Sequence, residues 1–189
     1  MLSGRRLDLL DPSPLDIEIS DIALGLARVA RWNGQTGGRH AFSVAEHSLL
    51  VEDLVGRMYP DLERRWRLAA LLHDAPEYVI GDIISPFKAV LGDGYKGVEI
   101  RILEAVHLRF GLPARLPATV AKAIKRADIA AAFLEATQLA GFSHDEAARY
   151  FDRPGKIGGA ALDSLFTLEA QPVARAERRF LARFADLSD

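Results

Sequence analysis

Residues 68–74 read LAALLHD, an apolar run that ends in an adjacent histidine and aspartate. Ionisable residues seldom follow such a run without a partner, because burying an unpaired charge is costly. A divalent metal would make the placement of His73 and Asp74 favourable. The run therefore predicts a helix with two candidate metal ligands at its end, and the rest of the chain must supply the others.

The composition is that of one ordinary globular domain. The 189 residues suffice for a compact domain with a core and are too few for two ordinary ones. Apolar residues make up 49% and charged residues 26%, which is typical of such a domain. We expect a single domain over residues 1–189, with a metal-site core at about residues 20–140 and a C-terminal helical extension at about 141–189.

The net charge and the cysteine content limit the kinds of partner and metal ligand that this protein can have. The formal net charge of -2 creates no field that favours nucleic acid or an anionic membrane. Cysteine is absent, which excludes disulfides, fits a reducing compartment and leaves His, Asp and Glu as possible metal ligands. No segment approaches the apolar length of a bilayer span, and residues 1–11 lack the features of a signal peptide. We expect a cytoplasmic protein that binds neither nucleic acid nor membrane.

Helical periodicity dominates the chain, without a convincing alternating strand. Ser20 is a candidate N-cap of the first helix, and Ser43 with Glu46 forms the capping-box pattern of the second. Residues 117–140 predict a long helix that ends before Gly141. These patterns predict an all-α, single-domain helical bundle.

The second half of the chain adds further predictions. Pro76 should end or bend the helix that carries His73. Ser85-Pro86 predicts the start of a short helix, and residues 153–159, rich in proline and glycine, predict a loop. The last helix would pack either against its own domain or against a second subunit, so the sequence leaves a homodimer possible. Its inward stripe, with one polar member, is Val173, Glu177, Phe180, Phe184 and Leu187.

Two more positions could complete a metal site with His73 and Asp74. His47 lies on the apolar stripe of the second helix, where the alternative is a core histidine bonded to a carbonyl. Asp128 lies among alanines in the long helix, where the alternative is a surface aspartate paired with the basic residues 125–126. Together three helices offer two imidazoles and two carboxylates, which suit Mn²⁺, Co²⁺, Fe²⁺ or Mg²⁺.

The order of these four residues, a histidine, a His-Asp pair and a later aspartate, resembles the H…HD…D signature of the HD-domain phosphohydrolase superfamily. The resemblance implies an HD domain that binds one divalent metal per chain (Mn, Co, Fe, Mg or Zn) through His47, His73, Asp74 and Asp128. It also implies that the protein hydrolyses a small-molecule phosphate ester with water as the nucleophile.

Neighbouring residues extend the resemblance to one branch of the superfamily, the YfbR-like 5'-deoxynucleotidases. Residues 43–48, SVAEHS, are similar to the segment around that branch's first histidine. Residues 73–77, HDAPE, followed by residues 81–82, GD, resemble its second segment, and residues 31–32, RW, its Arg-Trp pair. The likeness covers roughly residues 22–132. It implies a phosphomonoesterase that acts on (deoxy)nucleoside 5'-monophosphates, and members of the branch are often homodimers.

The resemblance also implies roles beside the metal. Glu77 would orient or deprotonate the attacking water, and Asp82 would be an acidic group near the leaving oxygen, although a simple turn residue is the alternative. Arg31 would clamp the phosphate, for which a guanidinium fork is well shaped. Trp32 would pack against the sugar and help exclude a ribose 2'-hydroxyl, unless it is only a core tryptophan. Lys88 is a candidate second phosphate contact.

Some residues leave the substrate open. The loop of residues 33–40, NGQTGGRH, resembles related HD hydrolases more than the characterised deoxynucleotidases. His40 is either an extra ligand or substrate contact or a solvated loop histidine, and His107 is interpreted as structural or superficial, which favours one metal. Two alternatives remain. One is an HD-type phosphodiesterase or oxygenase, and the other is a non-catalytic, metal-stabilised nucleotide-binding regulatory domain.

Overall fold

The computed structural model describes residues 1–157 and 160–188, and its regular structure there is almost entirely helical. Short 3-10 turns lie at Pro14–Asp16, Arg31–Gly34 and Leu162–Ser164. The prediction of an all-α fold is confirmed. The α-helices are α1 (Ile19–Arg28), α2 (Val44–Met58), α3 (Arg64–Leu71), α4 (Glu77–Ile80), α5 (Ser85–Arg109), α6 (Ala118–Gln138), α7 (His144–Tyr150) and α8 (Val173–Ser188).

The prediction of a loop over residues 153–159 is wrong at residues 156–157. Lys156–Ile157 forms a two-residue strand, β1, antiparallel to β2, Ala160–Ala161. Strands this short show no alternation in sequence, so the periodicity could not reveal them. Residues 158–159 of the predicted loop lie outside the described residues.

Helix α2 occupies the centre of the bundle, in contact with α1, α3, α6 and α8. It begins with the predicted capping box, in which Ser43 Oγ accepts from the Glu46 amide and Glu46 Oε2 accepts from the Ser43 amide. The other carboxylate oxygen of Glu46 accepts from the amide of Gln171 at 2.8 Å. The start of α2 is therefore fixed both locally and by the segment that leads into α8.

The helix that carries the His-Asp pair ends earlier than predicted. Helix α3 stops at Leu71, and residues 72–76 form turns that lead into α4. Pro76 disfavours the helical conformation for the residue before it and serves as the N-cap residue of α4. His73 and Asp74 therefore lie in a turn between two helices, where neighbouring side chains can point toward one place more easily than on a helix.

Helix α4 packs unusually close to α1. A Cβ atom at Gly25 would lie only 2.7 Å from Cβ of Tyr78 and 2.9 Å from the Tyr78 carbonyl oxygen. Glycine is therefore the residue that this contact allows. The close approach places Glu77, the first residue of α4, in the interior with 3% of its surface exposed.

One helix start differs from its prediction, and one agrees with it. The N-cap residue of α1 is Glu18, so the assignment of Ser20 as the cap is wrong by two residues. Helix α5 begins at Ser85, where the sequence predicts a helix start, with Ile84 as its N-cap residue, and the whole element continues to Arg109. A break at Gly92 (φ 71°, ψ −161°) separates its two parts.

Helix α8 covers its own domain. It contacts α1, α2 and α3, and the stripe members Phe180 and Leu187 are buried together with Ala176. Phe184 packs edge-on against Phe110 with ring centroids 4.9 Å apart. Of the two packing options for this stripe, the intramolecular one is therefore observed. Within the described residues, no helix is both long and apolar enough to cross a membrane.

Candidate metal centre

Four side chains converge from three parts of the fold. His47 comes from α2, Asp128 from α6, and His73 and Asp74 from the turn after α3. His47 Nε2 lies 3.3 Å from Asp74 Oδ2 and 3.4 Å from Asp128 Oδ1, and His73 Nε2 lies 3.2 Å from Asp74 Oδ2. The ligand atoms of His47, His73 and Asp128 all lie within 4.8 Å of one another. This cluster could hold a metal ion.

The ring nitrogens show that the cluster fits a metal. His47 Nδ1 lies 2.5 Å from Glu135 Oε1, and His73 Nδ1 lies 2.8 Å from the Ala70 carbonyl oxygen. Both Nδ1 atoms face acceptors and therefore carry the ring proton. Both Nε2 atoms are buried and lack a hydrogen-bond partner among the described residues. Buried imidazole nitrogens beside two carboxylates can give their lone pairs to a divalent cation, which takes the place of any proton that they carry.

Without a cation, protons balance the negative charge. Burial and Arg31 both lower the pKa of His47, but the surrounding carboxylates outweigh them and raise that pKa well above its ordinary value. Burial raises the pKa of Asp74 and Asp128, but the neighbouring imidazoles of His47 and His73 hold both pKa values below the ordinary range. A divalent cation can replace this proton because ligands bind metals in their deprotonated form.

The structure decides in part between the alternative roles of His47 and Asp128. His47 is a buried core histidine, but its partner is the carboxylate of Glu135 rather than a carbonyl. Asp128 does pair with Lys125, whose Nζ donates to Oδ2 at 2.8 Å, while its other oxygen faces His47. Ion pairing and participation in the cluster are therefore both present for Asp128.

Glu135 is the residue that sequence reasoning missed. It is fully buried in α6, and its Oε2 accepts from Arg31 Nε at 3.2 Å and from Trp32 Nε1 at 2.9 Å. Burial raises the pKa of Glu135, but Arg31 and His47 outweigh it and hold that pKa below its ordinary value. Its sequence signal was its place seven residues after Asp128, about two helical turns along the same face, within an apolar stretch.

Glu77 is the other buried acid of this region. Burial, with help from the charges of Asp74 and Asp82, raises the pKa of Glu77 to about 9. Lys88 Nζ lies 3.7 Å from Glu77 Oε1 and donates to Glu99 Oε1 at 2.8 Å. Glu77 Oε2 is buried without a hydrogen-bond partner among the described residues. Lys88 therefore reaches the interior instead of being merely solvated.

Arg31 lies between two carboxylates. Its NH1 donates to Asp82 Oδ2 at 3.2 Å, and its Nε and NH2 face Glu135 Oε2 at 3.2 Å. This pairing brings Asp82 from the loop after α4 to the same region as Glu135 and the histidine cluster. An arginine has five N–H donors, so this arrangement leaves donors for an anion.

Trp32 adopts a backbone conformation that is unusual for its residue type. Trp32 and Asn33 have φ values of 55° and 50°, in the left-handed region that costs a non-glycine residue roughly 1 kcal/mol or more. The half-buried indole ring packs at 5.8 Å from Phe142 and 6.0 Å from Phe151, measured between ring centroids. Strained residues of this kind cluster at functional sites, where surrounding contacts hold them.

The remaining histidine predictions can be located. His40 is exposed in the loop of residues 33–40, which is anchored where Gly37 donates to the Leu139 carbonyl oxygen at 2.9 Å. His107 is buried in α5, and its Nδ1 lies 3.1 Å from the Ala114 carbonyl oxygen. Burial lowers the pKa of His107. A neutral buried histidine bonded to a carbonyl agrees with the structural interpretation.

Comparison with known proteins identifies the family. Residues 44–132 match the model of the HD domain, which includes all four converging residues. The chain is 66% identical over 157 residues to the uncharacterized protein RCAP_rcc00048 of Rhodobacter capsulatus, covering 83% of this chain and 80% of that protein. It is 29% identical over 174 residues to the uncharacterized protein YfdR of Escherichia coli, covering 92% and 86% respectively. The chain belongs to the HD-domain superfamily, a family generally of metal-dependent hydrolases.

Proposed function

We propose that this protein is a divalent-metal-dependent phosphomonoesterase that releases phosphate from a (deoxy)nucleoside 5'-monophosphate. The observation that carries the proposal is the pair of buried, partnerless Nε2 atoms of His47 and His73 beside Asp74 and Asp128. These four residues would hold one metal per chain. When bound, the metal would supply Lewis acidity toward the phosphate and lower the pKa of a water molecule.

Glu77 is the proposed acid–base residue. In the hydrolysis, a water oxygen attacks phosphorus, the ester P–O bond breaks as a proton passes to the departing oxygen, and the proton of the attacking water must be accepted. The partnerless Oε2 of Glu77 is available for that proton. Its raised pKa means that Glu77 is neutral while carboxylates dominate its surroundings, and added positive charge in the site would lower that pKa.

Arg31, Asp82 and Lys88 are proposed to handle the phosphate and the leaving oxygen. Arg31 is already oriented by Asp82 and keeps free donors for phosphate oxygens. Asp82, held beside Arg31, would be the acidic group near the leaving oxygen. Lys88, 3.7 Å from Glu77, would add a second positive charge on the phosphate side.

A nucleotide substrate is supported by Trp32 and by the resemblance of its surroundings to the deoxynucleotidase branch. The indole is held by packing on two aromatic rings and by its hydrogen bond to Glu135. A fixed aromatic surface next to the phosphate-binding arginine would pack against a sugar and disfavour a bulkier ribose. The preference for deoxyribose and a homodimeric assembly are both part of this proposal.

The test is phosphate release by the chelator-stripped protein after reloading with Mn²⁺, Co²⁺ or Mg²⁺. The panel contains ribo- and deoxyribonucleoside 5'-monophosphates and one phosphodiester. We expect release from monoesters only with metal, and a loss of roughly 10³-fold in kcat/KM for Asp74→Asn, since metal stabilisation is worth several kcal/mol. Asp53→Asn, at a half-buried aspartate of α2 that pairs with Arg57, is the matched control and should keep full activity.

Three outcomes would contradict the proposal. A metal-loaded protein that is inactive on the whole panel would favour a regulatory domain. Two metals per chain with cleavage of the diester would favour a phosphodiesterase. An Asp74→Asn variant that retains metal and activity would show that the converging cluster is not the site.

A further inference from the structure

The two oxygens of Glu135 contact two different parts of the site. Oε1 lies 2.5 Å from Nδ1 of His47, while Oε2 accepts from Arg31 and Trp32. The carboxylate has no exposed surface, so water does not compete for these contacts. One buried side chain therefore touches both a proposed metal ligand and the segment proposed to hold the substrate.

The contact with His47 determines which ring nitrogen is free. A neutral imidazole carries one proton, and an ionised acceptor beside Nδ1 keeps that proton there. The lone pair of Nε2 then points at Asp74 and Asp128. Because Nδ1 and Nε2 point away from the ring in different directions, Glu135 acts through His47 and does not join the ligands itself.

The contacts at Oε2 hold the carboxylate in place. Arg31 neutralises its charge, and the N–H of Trp32 fixes its orientation at 2.9 Å. The same bond also helps to hold the left-handed backbone of Trp32, whose φ is 55°. A movement of the Arg31–Trp32 segment would therefore be transmitted to His47 through one rigid group.

We propose that Glu135 is a positioning residue that couples the metal site to the Arg31–Trp32 segment. It fixes the tautomer and ring orientation of His47 and at the same time orders the residues that hold the phosphate ester. Metal affinity then depends on the Arg31–Trp32 segment, and by reciprocity a bound metal orders that segment. The inference rests on the proposed function only in requiring that His47 ligates a metal.

The first experiment measures Zn²⁺ affinity by competition with a chromophoric chelator, without any activity assay. Glutamine has the shape of glutamate but only one acceptor end, so Glu135→Gln cannot serve His47 on one side and Arg31 with Trp32 on the other. We expect the zinc affinity to fall by about 10- to 100-fold, as for other residues that orient metal-bound histidines.

The matched control is Glu52→Gln, which alters another buried carboxylate on the helix that carries His47. Glu52 is 2% exposed and pairs with Arg67 and Arg183, remote from the zinc ligands in its contacts. Its substitution should lower thermal stability and leave zinc affinity within about twofold of wild type, because it disturbs packing but not a ligand. A merely structural role for Glu135 would make the two variants behave alike.

A second variant tests the coupling even if Glu135→Gln fails to fold. Trp32→Phe keeps an aromatic ring and removes only the N–H donor. We expect it to weaken zinc binding by roughly two- to fivefold, because Glu135 loses one of the bonds that orient it. Trp66→Phe, at the other tryptophan of the chain, is its control and should leave zinc affinity unchanged.

The outcomes separate this inference from the proposed function. Wild-type zinc affinity in both Glu135→Gln and Trp32→Phe would overturn the role of Glu135 and leave the metal site intact. Failure of the wild-type protein to bind one zinc per chain would instead overturn the proposed function, and the inference with it. Weakening in both variants, with both controls unchanged, supports the coupling.

Discussion

The two halves of α2 each contact a buried charge cluster, and the clusters differ in what they leave unpaired. Near the start of the helix, His47 meets the carboxylate of Glu135, and its Nε2 has no hydrogen-bond partner within residues 1–157 and 160–188. Five residues later, both oxygens of Glu52 are used, by Arg183 at 2.7 and 2.8 Å and by Arg67 at 2.5 Å. Each cluster is centred on a buried residue of α2, and both combine acidic with basic groups.

The difference lies in the type of atom that is left over. In the Glu52 cluster, the atom without a partner in the described part of the chain is Nε of Arg67, a positively charged donor that cannot ligate a cation. In the His47 cluster the partnerless atoms are imidazole nitrogens with lone pairs that face carboxylates. Burial and charge alone therefore do not distinguish a metal site from a structural ion pair, whereas the unpaired lone pairs do.

The largest effect of a substitution is expected at Glu77, on the side of the His47 cluster. Glu77→Gln should reduce kcat by about 10²- to 10⁴-fold, the usual range for losing an acid–base group, while the metal content stays at one per chain. Steady-state phosphate release and elemental analysis measure the two quantities. Glu99→Gln is the control, because Glu99 also pairs with Lys88, at 2.8 Å, and no role in the reaction is proposed for it. Unchanged turnover in Glu77→Gln would remove Glu77 from the catalytic residues.

A smaller effect is expected on the structural side, at Glu52. Glu52→Ala should lower the free energy of unfolding by about 2 kcal/mol, because it leaves two guanidinium groups without a counter-charge. The loss is below that of a fully buried pair, since the Arg67 and Arg183 side chains are each 29% exposed. Urea denaturation of the metal-free protein measures it. If Glu52→Ala abolished turnover in the folded protein, the division between the two clusters would be wrong.

The effect of pH, the smallest when counted per pH unit, separates the two buried acids of the site. Burial raises the pKa of Glu77 from 4.5 to about 9, whereas Arg31 and His47 outweigh burial and lower that of Glu135. Between pH 4.5 and about pH 9, the folded state keeps a proton on Glu77 that the unfolded state has lost. In the metal-free protein, the contribution of Glu77 to the free energy of unfolding is therefore fully present below about pH 4.5. It falls as the pH rises toward 9, by at most about 1.4 kcal/mol per pH unit.

The pH prediction is measured as the difference between wild type and Glu77→Gln in urea midpoints from pH 5 to 9 with a chelator present. His47, whose pKa is also raised, contributes to both proteins and cancels in this difference. The contribution of Glu135 to stability has the opposite pH dependence, since it is present above the ordinary glutamate pKa and is lost on acidification. Parallel curves for the two proteins would show that Glu77 is not protonated in the folded state.

Local features of the fold were predictable because neighbouring residues decide them. The capping box at Ser43 is present as predicted, and Ser143 forms a second one with Glu146, since each needs only a glutamate three residues later. The stripe that ends in Phe180 and Leu187 indicated which face of α8 would be buried. The end of α3 was misjudged because the turn at residues 72–76 depends on how α4 packs against Gly25, a contact between distant parts of the chain.

By itself the sequence determined an all-α domain and the ordered set His47, His73, Asp74 and Asp128, because helical periodicity and the spacing of ionisable residues in apolar runs are local properties. Only the tertiary structure decided that Glu135 meets His47 across 88 positions of the chain and also bonds to Arg31 and Trp32. Such contacts depend on how helices pack, and no local pattern specifies them. The unpaired imidazole nitrogens that characterise the candidate metal centre follow from that packing.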